Sequence, residues 1–283
     1  MLNPLFLPIR DIVSSPRAIL EDMCRSQATG YYLGEHTVLC RILGKYKFYV
    51  DSRDGSLAPH LIMDGFWESW ITRFVGGIVK PGDVCIDLGA NFGYYSVLMA
   101  GLSGETGRAI AVEANPNLCR LLERSASING LPIETVNKAV SNKSQKVTLT
   151  VPNGMWGDGS IREGFQNADS TRLKVQAVPL DALVQELGLP RVDVVKMDCE
   201  GMEPAILEGM QQTIRANPGI RIIMEFTPFD YHDPAGFVEY LYSVFEVSRI
   251  EGDSSIRPVS AGELNRFAAV REHADLYLTV RKQ

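Results

Sequence analysis

Short apolar runs alternate along most of this chain with longer stretches of helical spacing. Residues 84–88, 108–113, 133–137, 192–197 and 220–226 are short and apolar, which predicts buried strands. Between and after them, 93–101, 116–129, 180–187, 203–216 and 234–243 place apolar residues three and four apart, the period of a helix. Residues 245–250 and 275–280 read as the closing strands, the latter after a polar loop. Strands alternating with helices predict an α/β domain, a largely parallel sheet with helices on both faces. Two alternating runs, 146–151 and 173–178, read as strands around a glycine-rich insert, 152–170.

The first part of the chain has a different rhythm. Residues 16–26 predict a short helix with Pro16 in its first turn. Residues 37–43 and 46–51 alternate around Gly44-Lys45, a half-exposed hairpin. Residues 68–79 predict an amphipathic helix through Trp70, Ile71, Phe74, Val75 and Ile78. The division expected is an N-terminal cap, 1–79, and a main domain, 80–283, with no linker between them.

Composition narrows the class. The 283 residues are 45% hydrophobic, enough for a sizeable core. The formal charge is −6 with both signs interspersed, so no basic stripe is available to track phosphates. The five cysteines are scattered without a C-x-x-C pair, which argues against a disulfide framework or a zinc site. The opening Met1-Leu2-Asn3-Pro4-Leu5 lacks a basic start and a long apolar stretch, and no run approaches a membrane span. The expectation is a cytoplasmic protein.

Chemistry concentrates in two places. The first is Val84-Cys85-Ile86-Asp87-Leu88-Gly89-Ala90-Asn91-Phe92-Gly93, a strand, a glycine turn and a helix start, where backbone N–H groups face a ligand. A dinucleotide site needs Gly-x-Gly-x-x-Gly. Here Ala90-Asn91 stands where the second glycine belongs, and the Asp87 carboxylate would repel a pyrophosphate. That carboxylate suits a cationic amino-acid end, which S-adenosylmethionine carries without any phosphate. Glu113, at the tip of the next strand, is placed for a ribose diol. The plainer reading is that Asp87 caps the helix and Glu113 is solvated.

The second place is Lys196-Met197-Asp198-Cys199-Glu200-Gly201-Met202-Glu203. In an open α/β sheet, ligands sit beyond the carboxyl ends of the strands. Period-2 spacing puts Lys196, Asp198 and Glu200 on one side, so they can converge on one pocket. Alternatively, Asp198 caps the helix near Glu203 with Lys196 as its salt-bridge partner.

With these stretches in view, the chain resembles the FkbM-type S-adenosylmethionine-dependent methyltransferases. The Ile86–Ser96 glycine turn, Glu113-Ala114-Asn115-Pro116 and Lys196–Glu203 carry the resemblance, with Ile223-Met224-Glu225 and His273-Ala274-Asp275-Leu276 matching in kind. It covers the chain from about residue 66 onward. It implies a class I methyltransferase (Rossmann-like) fold, a seven-stranded mostly parallel sheet whose last strand is antiparallel. It implies S-adenosylmethionine as cofactor and methyl transfer to a hydroxyl of a sugar, glycan or secondary metabolite. By position, Asp87, Gly89 and Asn91 would shape the methionine end, Glu113 the ribose, and Asn137, Lys138 and Ala139 the adenine, with Gly93 and Ala114 also at the cofactor. Asp198 would lie close to cofactor and acceptor, and Glu68 would approach the cofactor from the upstream helix.

The candidates for orienting or deprotonating the hydroxyl are Asp198, Glu200, Glu225, Lys196 and His232, with Asp198, Lys196 and Glu200 preferred. No metal is expected. The insert around Trp156 reads either as a lid that lays its indole on a ring or as a loop whose Trp plugs the core; the hairpin and Tyr94-Tyr95 would wall the acceptor. The partners expected are a hydroxyl-bearing small molecule or glycan and a second copy of the chain, but no nucleic acid. The rival readings are an inactive S-adenosylmethionine-binding partner subunit and a nicotinamide oxidoreductase.

Overall fold

The computed structural model describes residues 4–165 and 168–281. Met1-Leu2-Asn3, part of the opening read above for a leader, lies outside them. So do residues 166 and 167 of the insert.

Among the described residues fourteen strands run in chain order: β1 (Gly30–Gly34), β2 (Thr37–Ile42), β3 (Tyr46–Asp51), β4 (Val84–Leu88), β5 (Arg108–Val112), β6 (Ile133–Val136), β7 (Ala139–Val140), β8 (Gln145–Pro152), β9 (Ser170–Val178), β10 (Val194–Met197), β11 (Arg221–Phe226), β12 (Phe245–Ile250), β13 (Ile256–Pro258) and β14 (Ala274–Val280). The central sheet has the order β13-β12-β14-β11-β10-β4-β5-β6. Its β11, β10, β4, β5 and β6 pair in parallel, whereas β14 runs antiparallel to both β11 and β12. The expectation of seven strands is corrected to eight in a mixed sheet. The extra one, β13, folds back on β12 through a turn at Glu251–Ser255, and all three of its residues are exposed, so burial gave no sign of it.

Alternating side chains of the sheet feed two cores, one on each face. Val84, Ile86, Leu88, Ile222 and Met224 enter one, while Cys85, Val194 and Ile223 enter the other. The second core is continuous with the N-terminal region through Ile12, Leu20, Ile42, Phe48 and Leu61. Cap and main domain thus share one apolar interior.

The cap differs from the sequence reading in three ways. β1 pairs with β2, so the expected hairpin is a three-stranded sheet. β1 is exposed on nearly every residue, which removes the alternation that would have marked it. Two short helices, Ile9–Ser14 and Ala58–Met63, were not expected. The helix expected from residue 68 begins at Ser69, because Glu68 sits in the left-handed region at φ 36°.

Elsewhere, the single helix expected over 203–216 is two, Glu203–Glu208 and Gln211–Ala216. Gly209 divides them where the chain passes Ser141; a Cβ there would lie 2.3 Å from the Ser141 carbonyl oxygen. The polar loop before β14 contains a helix, Ala261–Val270, capped by Ser260 accepting from the Glu263 N–H.

Candidate active site

The glycine turn after β4 packs against the end of β10. A Cβ on Gly89 would fall 1.8 Å from the Asp198 carbonyl oxygen, and one on Gly93 2.5 Å from Leu122 Cγ. Only glycine allows both approaches, and Gly89, Asn91 and Gly93 all have positive φ. Asp87 is fully buried and accepts from Ser96 Oγ at 2.6 Å, inside the helix Tyr94–Ser103. Burial raises its pKa against the pull of Lys196. It bonds the helix side chain without capping its N-terminus.

Glu113 is not solvated but 8% exposed. Its two oxygens accept the backbone N–H groups of Asn91, at 2.8 Å, and Asn115, at 2.7 Å. One side chain thereby ties the glycine turn to the start of the helix Pro116–Asn129. Burial pushes its pKa up to about 7. Each carboxyl oxygen keeps a second lone pair for a ligand hydroxyl.

Across the sheet, Lys196 is the register partner of Asp87, and Glu225 of Asp275. These residues share the sheet face that carries the cap. Lys196 Nζ lies 2.7 Å from Asp198 Oδ2 and 4.7 Å from the centre of the Tyr95 ring. Burial disfavours the ammonium, but Asp198, Asp87 and Glu68 outweigh it and hold the Lys196 pKa above its ordinary value. In return, Lys196 overcomes burial and keeps Asp198 below the usual carboxylate range.

Carboxyl oxygens of Asp198, Glu200 and Glu225 lie within 4.8 Å of one another. Such a trio cannot hold three negative charges cheaply. The Asp198 charge and burial raise Glu225, and burial and the Asp198 charge raise Glu200, while Asp198 stays ionised. The same donor set has the spacing to hold a cation. Glu200 is held with φ +52°, its carbonyl accepting from Ser160 Oγ at 2.9 Å. Glu68 accepts from the Tyr95 hydroxyl at 2.7 Å, and burial followed by the Asp275 charge raises its pKa to about 7.

Two cavities meet at this rim. A slot is lined by Glu113, Ala114, Lys138, Ala139, Leu149, Trp156 and their neighbours. A cavity of about 380 Å³ is lined by Trp67, Glu68, Asp87, Tyr94, Tyr95, Asp158, Lys196 and Glu225 among others. Gly89, Asn91, Gly157, Asp198 and Glu200 line both.

Most residues singled out from the sequence therefore converge, with some corrections. Asn137 lines neither cavity; its amide donates to the carbonyls of Glu113 and Ala114, at 2.9 and 3.0 Å, and so braces the slot's rim. Gly93 is a packing position against Leu122. Asp198 pairs with Lys196 as the plainer reading held but caps no helix; the helix Glu203–Glu208 has no side-chain cap, and Glu203 itself accepts the Cys199 N–H. His232 is exposed and lines neither cavity. The hairpin lines neither cavity, whereas Gly55, Ser56 and Leu57 beyond it line the larger one together with Tyr94 and Tyr95. Trp156 is half-buried, packs on the cap's core and also lines the slot. Asp275, bonded by Trp70 Nε1 at 3.1 Å, carries part of the family resemblance but no role read from the sequence, and Asp54 in the cap was not anticipated.

The Methyltransferase FkbM domain matches residues 87–257. No curated protein matches the chain significantly. Among solved structures, the chain is similar to Pyrococcus abyssi tRNA (uracil-54, C5)-methyltransferase in complex with S-adenosyl-L-homocysteine, at 12% identity and a TM-score of 0.44 over 88% of this chain and 45% of that one. It is similar to the C-terminal domain of precorrin-6Y C5,15-methyltransferase from Rhodobacter capsulatus, at 14% identity and a TM-score of 0.43 over 76% of this chain and 91% of that one. An rRNA methylase from Streptococcus thermophilus is similar at 10% identity and a TM-score of 0.43, over 75% of this chain and 95% of that one.

Proposed function

Because the chain belongs to the FkbM methyltransferase family, whose cofactor is S-adenosylmethionine, we propose that it methylates a hydroxyl of a sugar, glycan or secondary metabolite. The observation that supports this most is the meeting of slot and cavity at Gly89, Asn91, Asp198 and Glu200. A cofactor in the slot and an acceptor in the cavity would face each other there. Bound S-adenosylmethionine supplies a methyl group already activated by its sulfonium.

The chain's own residues do the rest. In this reading Glu113 offers its free lone pairs to the ribose hydroxyls, and Lys138 and Ala139 flank the base. The methionine end would reach past Gly89 and Asn91 out of the slot to the near edge of the cavity, where Asp87 and Glu68 would face its ammonium. The cavity's aromatic side chains, Trp67, Tyr94 and Tyr95, suit the apolar face of a ring, and its carboxyls suit hydroxyl donors. Asp198, kept ionised by Lys196, accepts a hydrogen bond from the acceptor hydroxyl and aligns its oxygen roughly 3 Å from the methyl carbon. The oxygen would take the methyl group as its bond to the sulfonium sulfur breaks, and the hydroxyl proton would pass to Asp198, while Glu200 and Glu225, whose raised pKa values keep them protonated near neutral pH, would only donate hydrogen bonds at that rim; such a base contributes about 10²–10⁴-fold. A polyphosphate acceptor would meet repulsion from these carboxyls and from the net charge of −6. Among the described residues no helix is long and apolar enough to cross a membrane.

The test is a screen of the purified chain with labelled methyl donor against sugars, glycosides, phenols and RNA, with and without EDTA. Label in a hydroxyl of a small molecule, unaffected by EDTA, is the expected result. Label on RNA would refute the acceptor class, and binding of S-adenosylhomocysteine without turnover on any acceptor would favour the inactive partner subunit. Turnover that EDTA abolishes and Mg²⁺ restores would make the carboxyl trio a cation site.

A further inference from the structure

Three successive residues of the cap each hold a different point of the insert. The Arg53 guanidinium lies over the Trp156 ring, 5.0 Å from its centre. Asp54, 3% exposed, accepts the Trp156 N–H at 2.9 Å. The Gly55 N–H donates to the Gly154 carbonyl at 2.6 Å. Asp54 is filled by its donors: Oδ1 also takes Ser56 Oγ, and Oδ2 takes the N–H groups of Leu57 and Ala58. A buried carboxylate with so many bonds does not turn easily, so the Trp156 backbone is fixed to a rigid point about a hundred residues away in the chain.

The insert fixed in this way borders the slot. Trp156 lines it together with Leu149, Val151 and Ile161. The next residue, Gly157, lies between the cap and the glycine turn, where a Cβ would come within 3.0 Å of Asn91 Nδ2 and 3.2 Å of Ser56 Oγ. Glycine at 157 lets the insert cross the turn without displacing either.

We propose that Trp156 is a cofactor-binding residue, the indole wall of the adenosine slot, and that Asp54 is the positioning residue that holds it there. The cap then completes the cofactor site and is more than an appendage. An indole edge or face against a purine contributes about 1–3 kcal/mol per base on removal, roughly five- to a hundredfold in affinity. Asp54 lines neither cavity, so its part in the slot runs through Trp156, while its bonds to Ser56, Leu57 and Ala58 hold the cap segment in place.

This inference rests on the slot being the cofactor's. S-adenosylhomocysteine affinity by calorimetry, and its dissociation rate by stopped-flow tryptophan fluorescence, would be measured for the full chain and for Trp156→Ala, Trp156→Phe, Asp54→Ala and the Trp156→Ala/Asp54→Ala double variant. Trp156→Ala should bind about tenfold more weakly and release faster, whereas Trp156→Phe should stay within about threefold of the parent. Asp54→Ala should weaken binding, and the double variant should bind no more weakly than Trp156→Ala, since the two losses are one loss. Unchanged affinity in Trp156→Ala would overturn the wall, and fully additive losses would overturn the positioning role. If Asp54→Ala does not fold, the two Trp156 variants still decide the wall, because they keep the backbone N–H that Asp54 binds. A parent chain that fails to bind S-adenosylhomocysteine would overturn the cofactor reading itself, and this inference with it.

Discussion

Lys196→Met tests whether the second anchor serves the fold, the chemistry or both. Lys196 is 6% exposed, pairs with Asp198 at 2.7 Å, and is also within electrostatic reach of Asp87 and Glu68. Methionine keeps the length of the side chain and its packing on Tyr95 but leaves those acids without their cation. Removing one partner of a buried pair costs about 3–5 kcal/mol. For 283 residues the unfolding entropy near melting is ~0.6 kcal/mol/K, so the melting temperature should fall roughly 5–8 °C. The cost has a pH signature. Asp198 is held below its unfolded pKa, so its contribution is full above about pH 4 and is lost as pH falls through the lower folded value. The gap between wild type and variant should therefore narrow in acid. Turnover per folded molecule, measured well below melting, should drop at least about tenfold, because without the lysine Asp198 is pushed toward its protonated form. A variant that melts early yet turns over fully would remove the pair from the chemistry. One that melts like wild type would refute the buried ion pair.

Glu113→Ala should weaken S-adenosylhomocysteine binding roughly ten- to a hundredfold, the worth of about 1.5–3 kcal/mol for a hydrogen bond to a charged acceptor; equal affinity by calorimetry would take Glu113 away from the ribose. Glu200 and Glu225 have folded pKa values above their unfolded ones, reaching about 9 and about 10, so their contribution is full below about pH 4.5 and is lost as pH rises through those values. The ligand-free protein should accordingly melt lower as pH rises from neutral toward 9, Glu225→Gln should flatten that decline, and scanning calorimetry showing the same slope in both would break the trio apart.

The parts of the fold that were legible in the sequence are those whose cause is local. The glycine turn after β4 was readable because the left-handed positions and the close approach to Asp198 demand glycine at 89 and 93 whatever lies elsewhere. The helix Ala261–Val270 is equally local, since Ser260 and Glu263 carry the spacing of a capping signature, but its largely exposed residues give it the polar pattern of a loop. Asp54 before Leu57-Ala58-Pro59 was a readable helix start for the same reason. By contrast, β1 offers no pattern, because an edge strand exposed on both faces has no alternation to detect.

The site divides along the same line. Lys196, Asp198 and Glu200 could be grouped in advance because one short segment carries all three to the same rim, although only Lys196 lies in β10 and Glu200 arrives through a left-handed turn rather than by period-2 spacing. Glu225 joins them only through the parallel register of β10 with β11, Asp275 only through the antiparallel register of β11 with β14, and Asp54 reaches Trp156 only because cap and sheet share a core. That distinction has a chemical consequence. A single segment can supply a lysine and an acid that neutralise each other, which is a structural pair and no more. The unusual acidity arises when Glu225 is brought to the same rim by another strand, since the charge on Asp198 is then what keeps Glu225 protonated. Proton-handling capacity at this rim is a property of the assembled sheet, so a substitution that leaves all three acids in place but shifts β11 against β10 should alter the pH dependence of turnover without touching a catalytic side chain.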